Sequence, residues 1–317
     1  MILVTGANGF LGSTLCQTLT TWGYEHKQVV RQASHGAICV GNIDDQTVWG
    51  DTLSGIDVVV HLAARVHVMR ECVSDSLAAF RKVNVLGTER LACAAARAGV
   101  RRFIYVSSIK VNGESSDAHG GGFTEENAPN PQDPYAVSKW EAEQALHHIS
   151  QETGLEVVIL RPPLVYGPRV GGNFLRLMQW VHKGMPLPFG AIDNQRSLIY
   201  VGNLVSAIHI SLDHPAARGE LFLVSDGEAV STPELIRRVA MALGRPSRLV
   251  PLPPFFLRLA GRLMRKSVEV DRLRGSLVVD RSKLQRILSW IPPYSFDQGI
   301  KETADWYRQT RQSLASS

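Results

Sequence analysis

Residues 2–12 read Ile2-Leu3-Val4-Thr5-Gly6-Ala7-Asn8-Gly9-Phe10-Leu11-Gly12. A short apolar run breaks into a loop with glycines at 6, 9 and 12, then enters an apolar-periodic segment reaching about Trp22. That order predicts strand, phosphate loop, helix. Gly6 suits a tight turn. Gly9, lacking a Cβ, lets the backbone approach a pyrophosphate. Gly12 lets the helix pack close to the strand, and the helix N-terminus offers free N–H groups and a partial positive charge to a phosphate. Three spaced glycines also occur in ordinary strand-to-helix turns. Here a strand directly precedes them and a helix follows, which favours dinucleotide binding.

The same alternation continues. Strands are predicted at 27–31, 37–41, 57–64, 102–108 and 156–161, with helices over 74–98 and from Asp133-Pro134 to about Glu152, where Asp is the cap and Pro sits in the first turn. The run Asp57-Val58-Val59-Val60-His61-Leu62-Ala63-Ala64 is β-branched enough for a buried parallel strand. Strands alternating with helices imply an α/β fold, a Rossmann-type doubly wound parallel sheet, with ligands at the carboxyl ends of its strands. After Arg161, prolines and glycines crowd the chain. The expected division is a dinucleotide-binding domain over 1–165 plus about 196–213, and a smaller C-terminal α/β substrate lobe over about 166–195 and 214–317. A capped helix is predicted at 232–243. The apolar, arginine-rich stretch 255–266 has helical spacing and reads as a helix packed on its own lobe, with a membrane surface as the alternative.

Composition narrows the function classes. Hydrophobic residues make up 44%, enough for a sizeable core. No apolar run reaches the ~20 residues of a membrane span, and no charged leader precedes the strand at Ile2, so the expected location is the cytoplasm, without stable membrane insertion. The net charge of +5 is spread without like-charge blocks, which argues against nucleic acid as a partner. Cys16, Cys39, Cys72 and Cys93 lie far apart with no metal-ligand spacing, so buried free thiols are expected and no metal site.

The strongest chemical signal is Tyr135-Ala136-Val137-Ser138-Lys139. Residues i and i+4 share a helical face. A lysine cation beside a phenol stabilises the phenolate, lowers the tyrosine pKa and makes Tyr135 a usable acid/base. An exposed Tyr–Lys pair is common on helices. Its coincidence with the glycine loop and with Ser107-Ser108 at the end of a strand is what points to a site. Arg31, just after the second strand, stands where a carboxylate would favour NAD, and suits a 2′-phosphate instead. NADP(H) is therefore favoured over NAD(H).

This constellation resembles the extended short-chain dehydrogenase/reductase (NAD-dependent epimerase/dehydratase) family, whose members mostly act on nucleotide sugars. The resemblance covers nearly the whole chain: Thr5-Gly6-x-x-Gly9-x-x-Gly12, His61-Leu62-Ala63-Ala64, Asn84-x-x-Gly87-Thr88, Val106-Ser107-Ser108, Tyr135-x-x-x-Lys139, Arg161-Pro162-x-x-Val165-Tyr166-Gly167-Pro168 and Trp290-Ile291-Pro292. It implies Tyr135 as catalytic acid/base, Lys139 on the nicotinamide ribose, and Ser108 on the reacting sugar oxygen. It implies cofactor contacts from Gly6, Asn8, Gly9, Phe10, Leu11, Gly12, Arg31, Ile43, Leu62, Ala63, Ala64, Asn84 and Pro162. Asn42 stands where the family has an Asp beside the adenine. For a UDP-sugar substrate the resemblance implies Ser108, Asn173, Arg196 and Arg272, or Arg274 in its place. It also implies a homodimer.

Family dehydratases carry an Asp-Glu pair after the catalytic serine or threonine. Here Ile109-Lys110 stands there, which argues against dehydration, and Asn112 replaces the Tyr usual before Gly113. Reduction and epimerisation remain. Arg31 and the patterns 106–114 and 272–277 resemble bacterial 4-reductases that form UDP-N-acetylquinovosamine from UDP-4-keto-6-deoxy-N-acetylglucosamine for surface polysaccharide (O-antigen). The alternative is a UDP-hexose or UDP-N-acetylhexosamine 4-epimerase with tightly bound NAD. A third, minor reading is a non-catalytic NADP sensor.

Overall fold

The computed structural model describes residues 1–66, 76–116, 121–253, 255–256 and 274–315. Seven parallel strands form the main sheet: β1 (Ile2–Thr5), β2 (His26–Val30), β3 (Ile38–Cys39), β4 (Val58–His61), β5 (Arg102–Val106), β6 (Glu156–Arg161) and, after two strands of the lobe, β9 (Leu221–Leu223). Their spatial order is β3-β2-β1-β4-β5-β6-β9, so the order reverses beside β1, where doubly wound sheets bind ligands. The expected α/β class and parallel sheet are present.

Alternation along β1 divides the core. Ile2 and Val4 face one layer with Leu15 and Cys16 of α1 (Phe10–Thr21), Leu204 and Ile208 of α6 (Val201–Asp213), and Leu284 and Leu288 of α8 (Ser282–Leu288). Leu3 faces the other layer with Leu91 and Ala95 of α3 (Gly87–Arg97) and Leu146 and Ile149 of α4 (Pro134–Thr153). Arg102, 2% exposed, ties the sheet to α6. Its Nε donates to Glu156 Oε2 at 2.9 Å, and its Nη1 donates to the carbonyls of Ser211 (2.9 Å) and Leu212 (3.1 Å), which the helix end leaves unpaired.

The predicted helix over 74–98 takes a more specific form. α2 (Ser76–Arg81) runs into α3 through a wider π-type turn at Lys82–Leu86 that turns the Asn84 side chain inward. Residues 67–75, including Cys72, lie outside the described residues. Cys16 is buried as expected, whereas Cys39, on the two-residue edge strand β3, is exposed and Cys93, on α3, is half-buried.

The lobe carries a three-stranded sheet, order β10-β8-β7, made of β7 (Leu164–Tyr166), β8 (Arg196–Tyr200) and β10 (Ala229–Val230). α5 (Gly172–His182), α7 (Thr232–Ala242) and α9 (Phe296–Ala315) pack on it around Tyr166, Phe174, Ile236 and Ile300. Two segments depart from the expected division. β8, expected in the first domain, pairs with β7 in the lobe sheet, and β9, expected in the lobe, extends the main sheet beside β6. Each goes where its apolar residues find a strand to pair with. The two bodies join at half-buried Asp226, which accepts from Tyr166 Oη (2.9 Å), the Tyr200 amide (2.9 Å) and Asn203 Nδ2 (2.7 Å). Burial pushes its carboxyl above the ordinary range. No helix among the described residues is long and apolar enough to cross a membrane.

Candidate active site

The opening loop is built so tightly that side chains are excluded from it. Gly6 has φ +67°, and a Cβ there would lie 2.9 Å from the Ala63 amide nitrogen. A Cβ on Gly9 would meet the Gly6 carbonyl oxygen at 3.1 Å, and one on Gly12 would meet it at 2.1 Å. α1 therefore starts hard against the loop. Its N-cap, Gly9, offers no side-chain cap to the first amides, which leaves them for an anion. Phe10 and Leu11 turn toward the cores, and Asn8 is exposed on the loop. This cradle fits a dinucleotide pyrophosphate.

A hydrogen-bonded chain fixes the neighbouring strand end. Thr5 Oγ1 accepts from the amides of Leu62 (3.2 Å) and Ala63 (3.3 Å), so its proton goes to His61 Nδ1 at 2.7 Å. Thr88 Oγ1 donates to the Asn84 carbonyl (2.7 Å) and so receives the proton of His61 Nε2 at 3.0 Å. Both ring nitrogens are thereby satisfied in the neutral form, and burial pulls the His61 pKa down to about 3. Asn84 closes the same wall. Its Oδ1 accepts from the Arg65 amide at 2.8 Å, and its Nδ2 donates to Ser138 Oγ at 2.9 Å, linking the loop after β4, which holds Ala64, to α4.

α4 carries the expected Tyr–Lys pair. Asp133 caps it, accepting from the Ala136 amide at 2.8 Å, with Pro134 at its first position. Lys139 is 2% exposed. Its Nζ donates to the Val106 carbonyl at 2.8 Å and lies 4.4 Å from the Tyr105 ring centroid. Val106 ends β5, two residues before Ser108, so this bond registers the Lys139 face of α4 against the serine. Ser108 Oγ caps the turn at Ile109–Val111, accepting from the Lys110 amide at 3.3 Å. Lys110 Nζ pairs with Asp133 Oδ2 at 2.6 Å and with Glu114 Oε1 at 3.1 Å, holding the serine turn to the start of α4. Pro162 receives the Ile109 amide at 2.9 Å on its carbonyl, so the end of β6 holds the turn from the other side.

The protonation states differ from the sequence expectation that Lys139 lowers the Tyr135 pKa. Burial, with Asp133 nearby, holds the Tyr135 phenol above its ordinary value. Burial pulls the Lys139 ammonium down to about 7, and Glu143 opposes that shift. Desolvation is the largest cause of both shifts. Glu143, one turn beyond Lys139, is itself 2% exposed. It accepts from Ser107 Oγ, from Arg161 Nε at 2.9 Å and from Arg161 Nη2, and Arg161 Nη1 reaches Asn112 Oδ1 at 2.9 Å. Asn112, noted in the sequence only as a departure from Tyr, thus completes a buried ion-pair network under the site. The sequence signal for that network is the i+4 spacing of Glu143 from Lys139.

Among the other expected contacts, Arg31 is exposed just beyond β2. Ile43 is 8% exposed against Gly87, where a Cβ would meet Ile43 Cγ2 at 2.9 Å. Asn173 is exposed in the first turn of α5. Arg196, on β8, donates through Nη1 to the Gly275 carbonyl at 2.9 Å, beside Arg274. Arg272 lies outside the described residues.

Comparison with known proteins bears on this arrangement. The model of the NAD dependent epimerase/dehydratase family matches residues 2–225. A UDP-glucose 4-epimerase of Vibrio cholerae is 45% identical over 314 residues, covering 97% of this chain and 95% of that protein. The chain belongs to the NAD dependent epimerase/dehydratase family. An undecaprenol-linked relative, the N-acetyl-alpha-D-glucosaminyl-diphospho-ditrans,octacis-undecaprenol 4-epimerase of Escherichia coli O157:H7, is 29% identical and covers 96% of this chain and 94% of its own. Among solved structures, the Thermus thermophilus UDP-glucose 4-epimerase complex with NAD superposes with a TM-score of 0.78 at 26% identity, over 97% of this chain and 98% of that one. Within the family frame, Lys110 stands where the dehydratases carry a carboxylate, and its amine is engaged by Asp133 and Glu114.

Proposed function

We propose that the protein interconverts the C4 epimers of a UDP-hexose or UDP-N-acetylhexosamine, with NAD held over Gly6, Gly9 and Gly12. The observation that supports this reading is the bond from Lys139 to the Val106 carbonyl, which registers the helix carrying Tyr135 and Lys139 against the end of β5, two residues before Ser108, with Lys110 paired to Asp133 nearby. Such a site can move one proton at one sugar oxygen. The carboxylates near the serine are engaged by cations, Glu143 by Arg161 and Asp133 and Glu114 by Lys110, which does not favour elimination of water. The V. cholerae 4-epimerase, similar over nearly the full length of both chains, supports it.

A dinucleotide held at the glycine loop would supply the acceptor and donor of hydride at C4. Tyr135 takes the proton of the C4 hydroxyl and returns one to the same oxygen. Ser108 Oγ already accepts from the Lys110 amide, so its own proton is available to hold that oxygen as charge develops. Lys139 is fixed by the Val106 carbonyl and keeps donors for the cofactor ribose. It is also the cation on the same helical face that favours the phenolate when Tyr135 gives up its proton. Asn173, Arg196 and Arg272 or Arg274 are assigned to the sugar diphosphate, and Phe10, Leu11, Ile43, Leu62, Ala63, Ala64, Asn84 and Pro162 to the cofactor.

A 4-ketoreductase using NADPH is the second reading. It is favoured by Arg31, an exposed cation where a carboxylate would hold an unphosphorylated ribose. Two incubations separate them. UDP-glucose or UDP-N-acetylglucosamine without reduced cofactor yields the C4 epimer if the first reading holds. UDP-4-keto-6-deoxy-N-acetylglucosamine with NADPH loses reduced-nicotinamide absorbance if the second does. A homodimer is proposed on the family resemblance, and light scattering of the purified chain checks it.

A further inference from the structure

One edge of the lobe joins exposed apolar side chains to cations. Trp180 lies in the last turn of α5 at 39% exposure, and the Met185 amide donates to its carbonyl at 3.1 Å. Residues 187–190 pair with 248–250: the Leu187 amide donates to the Arg248 carbonyl (2.8 Å), the Val250 amide to the Leu187 carbonyl (2.9 Å) and the Gly190 amide to the Val250 carbonyl (3.0 Å). Met185 precedes this parallel pairing and Val250 lies within it, and both are exposed. Five residues on, Phe255 (69%) and Phe256 (51%) stand in solvent with ring centroids 5.7 Å apart. These phenylalanines open the stretch 255–266 that the sequence expectation packed against its own lobe; both are exposed, and residues 257–266 lie outside the described residues.

Cations predominate around these residues, with exposed Asp193 just beyond residue 192 and Asp305 paired to Arg308, which donates to the Ala242 carbonyl. Segments 172–192 and 241–256 contain Arg176, Lys183, Arg245 and Arg248 and no aspartate or glutamate. The Arg248 guanidinium lies over Gly184, 3.7 Å from where a Cβ would stand. Arg245 and Arg311 both act on His182, which burial and these two cations hold below its ordinary pKa. The excess of cations over acids in these segments is complementary to a negatively charged surface. An anionic bilayer answers all of them at once, while aromatic and methionine side chains enter the boundary between headgroups and acyl chains.

We propose that this edge, formed by Trp180, Met185, Val250, Phe255 and Phe256 with Lys183, Arg245 and Arg248, docks the enzyme peripherally on an anionic lipid surface. The partner is recognised by two features together: negative surface charge and an accessible apolar boundary. The sequence that follows, with Arg258, Arg262, Arg265 and Lys266 and no acid before Glu269, has the same composition.

The test is sedimentation of the purified full chain with phosphatidylcholine vesicles containing about one quarter phosphatidylglycerol, against pure phosphatidylcholine. The expected result is binding to the anionic vesicles that falls steeply with added salt, with roughly tenfold weaker binding to the neutral ones. Replacing Phe255→Ser with Phe256→Ser, and separately Arg245→Glu with Arg248→Glu, is expected to weaken vesicle binding about tenfold or more each while leaving turnover of a soluble nucleotide sugar unchanged. That turnover shows that the variants fold. Wild-type protein that stays in the supernatant with anionic vesicles overturns the proposal, as do variants that sediment like wild type. So does self-association abolished by the phenylalanine changes without vesicle binding, which would assign the edge to a second copy of the chain.

Discussion

Tyr135 sits on the first turn of a capped helix, and the charges around it decide when it can take a proton. Tyr135→Phe removes the group and nothing else. Turnover is expected to fall by roughly 10²–10⁴-fold while dinucleotide binding, followed by fluorescence quenching, stays near wild type. Asp133 is the neighbour that raises the phenol pKa, and Lys110 is the cation that answers Asp133 at 2.6 Å. In Lys110→Met the Asp133 charge stands closer to uncompensated, so the Tyr135 pKa rises further and the phenol-dependent limb of the kcat profile moves to higher pH. Lys110→Arg restores it. A limb that stays in place in both variants separates Lys110 from the chemistry. Titratable groups that interact with Tyr135 include Asp133 at the start of α4 and Tyr105 on β5, and Lys110 acts on it through Asp133. At this scale the sequence reading named Tyr135 and Lys139 because their spacing is local. It missed that burial dominates both groups, since burial depends on strands that are distant in the chain. It named Ser108 but not Glu143 or Arg161, whose pairing joins residues 18 positions apart.

Each element that shapes the site does so through a contact a side chain would break. α1 can start where it does only because Gly12 has no Cβ. In Gly12→Ala the new methyl would stand 2.1 Å from the Gly6 carbonyl oxygen. Loop or helix must shift, and the expected outcome is loss of dinucleotide binding by more than about tenfold together with a lower urea midpoint. Unchanged affinity in titration would show that the loop is not the cofactor cradle. Strand–glycine–helix was legible because all its determinants lie within 12 residues. So were the cap of α4 and the capping residues of α7, where Ser231 Oγ accepts from the Glu234 amide at 3.2 Å. The π-type turn at Lys82–Leu86 was not legible. Its sequence has ordinary helical spacing, and what forces the extra residue is the tertiary demand that Asn84 bond both Arg65 and Ser138. The exchange of β8 and β9 between the two bodies was hidden for a similar reason: a short apolar strand pattern does not say which sheet edge it will pair with.

For the whole molecule, the buried groups near the site set how stability follows pH. His61 is held neutral to about pH 3 in the fold, whereas the unfolded chain protonates it near 6.5. Between those values the unfolded state binds the extra proton, so stability from this residue is full above 6.5 and falls as pH drops toward 3, by up to about 1.4 kcal/mol per pH unit. Lys139 acts in the alkaline window. With a folded pKa of about 7 against 10.5, the unfolded state holds more protons between those values, and stability from this residue rises with pH across them. Urea unfolding across pH is expected to show both slopes, the first flattened in His61→Gln and the second in Lys139→Met. Both groups lie along the wall joining the glycine loop to α4, so the strain of building the site is spread through the central sheet rather than confined to the lobe. The most direct test of the proposed function follows a label through the whole cycle. UDP-glucose deuterated at C4 is incubated with the purified protein and no reduced cofactor, and the products are read by mass spectrometry and proton NMR. The account predicts UDP-galactose that retains the deuterium at C4, because hydride leaves and returns within one retained site. Absence of the epimer, or an epimer whose C4 deuterium has washed out, would contradict it.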